Sequence, residues 1–173
     1  MINTFKGENQ KGFSLIELII VVMVIGIIAV IAVPNLLKAR RATNEASAVS
    51  SVSVIMRSQV AYKMSLGAGD FTTIEELYNE SFIDEVLGTG PHVKSGYYFE
   101  VDTFPSTPLR EARMNIRGRP VVHALFNAIA STGGKDYGAT EAGVIYQTED
   151  NTAVTFDDTT RLPQGTAVPM KGN

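Results

Sequence analysis

The 173-residue chain has no cysteine and no tryptophan. Without cysteine there can be no disulfide, no thiolate metal site and no cysteine nucleophile. Histidine is scarce as well. His92 and His123 lie far apart and carry no metal-ligand spacing. Neither sign of charge dominates: 15 basic and 18 acidic residues leave a net charge of −3. Bulk charge therefore does not draw the chain to nucleic acid or anionic lipid, although a local patch is still open. With 45% hydrophobic residues, 15 Gly and 7 Pro, the composition is neither disordered nor collagen-like. The length allows one ordinary domain plus extra segments.

Apolar side chains are plentiful, and they are concentrated. Residues 13–33 read FSLIELIIVVMVIGIIAVIAV; of these 21, fifteen are Phe, Leu, Ile or Val, and only Glu17 is charged. As a helix the run would span ~32 Å, about the hydrocarbon thickness of a bilayer. The fifteen apolar residues favour insertion by about 5 to 9 kcal/mol, against a cost of about 2.5 to 3.5 kcal/mol for a mid-membrane Glu. Glu17 sits near the start of the run, where its cost is lower, so insertion wins. A core helix of a soluble protein is the plainer reading, but such runs are usually shorter. A secretory signal peptide is another, with Lys6 and Lys11 as its basic region and Val30-Ile31-Ala32 as a cleavage site. Its apolar region would be shorter and free of acid. Flanking charges do not set an orientation: Lys6, Lys11 and Glu8 precede the run, while Lys38, Arg40, Arg41 and Glu45 follow it.

The stretch Lys11-Gly12-Phe13-Ser14-Leu15-Ile16-Glu17-Leu18 resembles the N-terminal motif of type IV pilins and of the pseudopilins of type II secretion. Gly26, Pro34-Asn35-Leu36 and Lys38-Ala39-Arg40 also fit that pattern, and the likeness covers residues 11 to about 45. The resemblance implies a leader, residues 1–12, cut by a membrane prepilin peptidase between Gly12 and Phe13 on the cytoplasmic side. The same enzyme would then methylate the amine of Phe13; Ser14 is part of its substrate. The resemblance further implies a single-pass inner-membrane subunit with its leader inside and the rest outside. The pilus assembly machinery of the inner membrane would polymerise this subunit with copies of itself into an extracellular filament. In that fibre Glu17 would face the Phe13 amine of a neighbour.

Elementary physics agrees with the pairing of Glu17. A carboxylate in an apolar segment needs a partner. A cut after Gly12 creates an ammonium four residues earlier, at the positive end of the helix dipole. Pro34 and Gly26 have a different effect. Pro34 cannot bond the carbonyl of Val30, and Gly26 weakens a helix by about 1 kcal/mol relative to Ala. The helix between them is expected to melt locally in a filament and to stay continuous, though kinked, in the lone subunit.

Beyond Pro34 no Pro or Gly occurs until Gly67. Ala42, Ala46, Val49, Met56, Val60 and Met64 recur at helical spacing, with Val52 and Ile55 broadening the stripe and Ser47, Ser50, Ser51, Arg57 and Lys63 off it. Residues 34–66 thus read as an amphipathic helix continuing the apolar one. Residues 67–173 read as a globular α+β head. Thr72-Thr73-Ile74-Glu75-Glu76 reads as an N-cap with Glu three residues on, starting a short helix, and Ser81–Leu87 suggests another turn closed by Gly88. Residues 88–96 read as loop and 96–102 as a strand. Pro105 and Pro108 introduce an irregular connection that carries the arginines. Residues 121–130 read as a central strand, 144–147 and 153–156 as a hairpin, and the tail from Arg161 as loop. The expected fold is a long helix on a small antiparallel sheet of about four strands, α+β and pilin-like. Many pilins staple the C-terminal region with a disulfide; here the tail must be held by strand pairing, an ion or neighbours.

Arg110, Arg113, Arg117 and Arg119 form a basic cluster. It reads either as a patch for DNA phosphates or as cations paired with acids of the head or a neighbour. Asp150, Asn151, Asp157 and Asp158 offer oxygen ligands for Ca²⁺ but fit no EF-hand spacing; otherwise they form a solvated turn. Residues 133–136, Gly-Gly-Lys-Asp, lack a phosphate-loop pattern and read as a turn. His123, in an apolar stretch, reads as a satisfied or edge residue rather than a base. No Ser/His/Asp arrangement, cofactor motif or other sign of catalysis is present. The expected role is structural: a pilin, or alternatively a type II secretion pseudopilin or minor pilin. A membrane-anchored DNA-binding module is the more distant alternative.

Overall fold

The computed structural model describes residues 12–122 and 131–170. The chain divides into two compact units, Met1–Lys38 and Ala39–Asn173. Helix α1 (Leu15–Ser65) is unbroken and contains Pro34. Within the first unit none of its side chains is buried, as expected of a segment that is apolar all round. The helix stops where the sequence can turn left-handed. Gly67 donates to the carbonyl of Tyr62 at 2.8 Å, and Ala68 and Gly69 take φ of 48° and 101°.

Among the described residues of the second unit, α2 (Ile74–Asn79) and α3 (Glu85–Gly88) precede six strands. Thr73 and Asp84 cap the two short helices, their side chains accepting from the N–H of Glu76 and Leu87. The strands are β1 (Val93–Lys94), β2 (Tyr97–Phe104), β3 (Arg113–Pro120), β4 (Asp136–Thr140), β5 (Ile145–Thr148) and β6 (Val168–Pro169). Each pairs antiparallel with its chain neighbour in the order β1-β2-β3-β4-β5-β6. In the β2–β3 register Phe99 faces Gly118 and Val101 faces Ile116. Ala48, Val52 and Ile55 of α1 join Tyr97, Phe99, Met114, Ile116 and Ala139 of the sheet in one core. Gly118 lets the helix approach: a Cβ there would stand 3.1 Å from the Phe99 ring and 3.3 Å from Val52. The fold is thus α+β, an apolar N-terminal helix whose later part packs with an antiparallel sheet.

Several expectations change. Among the described residues the sheet has six strands, not about four. Arg113, Arg117 and Arg119 lie on β3, and only Arg110 stays on the connection before it; on β3 Met114, Ile116 and Gly118 alternate inward with Arg113, Asn115, Arg117 and Arg119 outward. β4, buried along its whole length, replaces part of what was read as turn. Val121 and Val122 form a bend, and the remainder of the stretch read as a central strand, including His123, lies outside the described residues. Of residues 153–156 only Phe156 bridges, to Pro163, and the tail contributes β6. On α1 the buried face is Ala48, Ser51, Val52, Ile55, Ser58 and Gln59, rotated from the expected stripe. Met64 is 83% exposed and Val60 is 40% exposed. Polar side chains disguised that face. Gln59 is fully buried because it donates to the carbonyl of Thr72 and accepts from its N–H at 3.0 Å. Ser58 likewise donates to the carbonyl of Phe82 at 2.9 Å.

Candidate processing and assembly segment

Gly12, Phe13 and Ser14 have no regular secondary structure and lead into α1. A methyl group at Gly12 would touch nothing within 4 Å, and Phe13 is 85% exposed. Among the described residues nothing covers the bond between them. Ser14 begins the helix: its carbonyl accepts from Leu18 N–H at 3.2 Å, and its own N–H donates to Glu17 Oε2 at 3.3 Å. Glu17 stands three residues past this cap, the geometry of the carboxylate arm of a capping box. Ser14-Leu15-Ile16-Glu17 fits the S-x-x-E signature, so the capping role of Ser14 was available from sequence but was missed. The carboxylate is folded back onto its own helix start, one residue from the nitrogen that a cut after Gly12 would free.

From Leu15 to Val33 the large apolar side chains face outward; Leu15, Val30 and Ile31 are 76%, 75% and 65% exposed. So large an apolar surface belongs in lipid or against other chains. Alone among the described helices, α1 is long and apolar enough to cross a membrane. Gly26 packs against nothing, since a Cβ there would meet no atom within 4 Å. Nothing among the described residues requires glycine at this position.

Residues 8–33 match the family model of the prokaryotic N-terminal methylation motif. The chain carries the hallmark segment of prepilin-type proteins. No curated protein and no solved structure matches it. A prepilin-type start and an exposed apolar helix together fit membrane anchoring before assembly.

The other sequence candidates sit in the second unit. Arg117 pairs with Glu100 at 3.0 Å and Asp102 at 2.8 Å, Arg119 with the buried Asp136 at 3.2 Å, and Arg113 with Asp158 at 3.7 Å. Arg113 also lies over the Phe104 ring. Of the four arginines only Arg110, exposed in the β2–β3 loop, has no ion pair among the described residues. Three of the four cations are thus neutralised in place, which weakens a phosphate-binding reading. The aspartates are not gathered together. Asp150 accepts from the hydroxyls of Thr148, Thr152 and Thr166, and these bonds hold its carboxyl well below the usual range. Asp157 accepts from Thr160 and Thr159 N–H, while Asp158 faces Arg113. Among the described residues no cluster of three or more His, Asp or Glu is placed to hold a metal.

Sequence reasoning also missed what fastens the cysteine-free tail. Arg161 donates to Glu141 Oε1 at 2.7 Å and Oε2 at 2.8 Å, and to Met114 O and Asn115 Oδ1 at 2.8 Å each. Met114 N–H completes the site by donating to Glu141 Oε2 at 3.1 Å. One guanidinium thus ties the tail to β3 and to the turn after β4. The distance in sequence between Glu141 and Arg161 leaves no local pattern to read.

Proposed function

We propose that the chain is a structural pilin subunit, not an enzyme, that polymerises into an extracellular type IV pilus. Residues 1–12 are the leader, residues 13–33 insert in the inner membrane and then form the filament core, and residues 67–173 stay outside the membrane. Prepilin peptidase cuts between Gly12 and Phe13 and methylates the new amine, which keeps its charge. In the lone subunit Glu17 accepts from Ser14 N–H; in the fibre it faces the Phe13 ammonium of a neighbour. Lipid already solvates apolar side chains, so packing and polar pairing rather than hydrophobic drive select the register. The observation that carries this reading is the open Gly12–Phe13 junction, followed by a capping Glu17 and an outward-facing apolar helix.

The experiment is the mass and N-terminal sequence of the native protein, from envelope and from sheared surface fibres. A methylated Phe13 start in both fractions is expected. Retention of the first twelve residues, or a start near Val33, would overturn the proposal. A pseudopilin or minor-pilin role would give the same processed N-terminus without abundant fibres of this chain.

A further inference from the structure

Residues 74–88, spanning α2 and α3, carry Glu75, Glu76, Glu80, Asp84 and Glu85 and no Lys or Arg. Two of these acids are matched: Glu75 by His92 at 3.0 Å and Asp84 by Lys94 at 2.8 Å. Glu80 and Glu85 are exposed and have no ion pair among the described residues. Glu76 only accepts from Asn79, at 3.4 Å. The opposite imbalance lies on α1. Arg40 is exposed and Arg41 half-buried, neither with an ion pair among the described residues, and Arg41 Nε is buried without a hydrogen-bond partner. The two imbalances cannot cancel within one chain. The acidic segment is fixed against α1 at Ser58 and Tyr62, through Phe82. Those positions lie 17 to 22 residues beyond the arginines, or about 26 to 33 Å along a rigid helix.

We infer that Arg40 and Arg41 of one copy clasp Glu76, Glu80 and Glu85 of a second copy displaced by about 30 Å along the helix axis. This rests on the fibre reading above and names a contact within it. The two patches occupy different places on each chain, so the contact is heterologous. Every copy offers one free patch of each sign, and the contact propagates rather than closing on a dimer. Pairing removes an uncompensated charge on both sides. An exposed pair contributes little singly, but it recurs at every step of a polymer and opposes wrong registers by like-charge contact.

The cysteine-free chain makes the test direct. Full-length Arg40→Cys/Glu80→Cys should assemble and, when a flexible bis-maleimide spans the reach of the two lost side chains, which a direct disulfide is too short to do, give a ladder of covalent oligomers. Either single variant should give no ladder. Glu80→Lys/Glu85→Lys should lower fibre yield by about threefold or more, and adding Arg40→Glu/Arg41→Glu should restore it. Normal fibres from the double-cysteine variant without a ladder, or a charge-reversal defect that is not rescued, would overturn the clasp and leave the fibre reading intact. Absence of fibres from the unmodified chain would instead strike at the fibre reading. If Arg40→Glu/Arg41→Glu only releases the protein from phosphatidylglycerol vesicles, while reversal of Glu80 and Glu85 changes nothing, the cations serve lipid and the clasp is wrong.

Discussion

Arg161→Met probes how a head without disulfides keeps its tail in place. The substitution removes the guanidinium that bonds both oxygens of Glu141, the carbonyl of Met114 and Asn115. The Arg161 and Glu141 side chains are 14% and 25% exposed. Breaking a buried pair by removing one partner costs ~3–5 kcal/mol; discounted for the water that reaches Glu141, the loss should be about 2–4 kcal/mol at pH 7. The pH dependence makes the argument sharper. Desolvation pushes the Glu141 carboxyl up, but Arg161 and the Met114 N–H outweigh it and hold the group below its ordinary value. A carboxyl lowered by folding contributes stability above its unfolded pKa of about 4.3, and that contribution is lost as pH falls through the lowered value. Without Arg161 the desolvation remains, the folded value rises above the unfolded one, and the buried charge destabilises at pH 7 but not once it is protonated. The stability gap between native and variant should therefore shrink from pH 7 to about pH 3. Urea unfolding of the detergent-solubilised chain, followed by tyrosine fluorescence, measures this gap. Arg161→Met/Glu141→Met should recover most of the loss at pH 7. A gap under about 1 kcal/mol, or one equal at both pH values, would refute the reasoning.

Two further outcomes follow from the geometry. Glu17→Gln keeps an acceptor for Ser14 N–H but no charge, and Glu17→Ala keeps neither; both should be cut and inserted yet give few fibres, and a native yield from Glu17→Gln would show that charge is not what pairs. Gly138→Ala would place a Cβ 2.6 Å from Val154 Cβ, so it should loosen residues 154–156 from β4 and cost about 1–3 kcal/mol in urea unfolding; unchanged stability would contradict that close contact.

Legibility from sequence followed how much of each signal is local. The apolar run, the N-terminal methylation motif and the cap within Thr72–Glu76 are defined within a few residues and were readable as they stand. β3 was hidden because its inward side includes a glycine and its outward side is dominated by arginine, a composition typical of loops. β4, Asp136–Thr140, is Asp-Tyr-Gly-Ala-Thr, with no apolar run or alternation; it is a strand because β3 and β5 pair with its two edges. The α1 face was misjudged because Ser51, Ser58 and Gln59 count as polar in a periodicity, whereas backbone partners at Phe82 and Thr72 make burial of Ser58 and Gln59 favourable. Those partners lie 13 and more residues away, beyond any helical repeat.

Gly26 and Gly118 show how one residue type can answer to two different neighbours. Gly118 is explained inside the subunit, because Val52 and Phe99 leave a Cβ only 3.1 to 3.3 Å. Gly26 has no such neighbour, yet it costs a helix about 1 kcal/mol relative to Ala in a stretch made mostly of bulky apolar residues. A helix surface that must meet another helix closely gains from a small residue, and a helix that must stretch gains from a weak one. Both explanations require a state the isolated chain does not display. The same holds for Pro34, which leaves the Val30 carbonyl without its donor inside an unbroken helix. The first unit therefore carries features with no use in the lone subunit, whereas the second has a packed core of its own and leaves only surface charges to be matched from outside. Gly26→Ala separates the two explanations. A stiffer but still small residue should preserve close packing and slow only a melting step, whereas Gly26→Leu should block both.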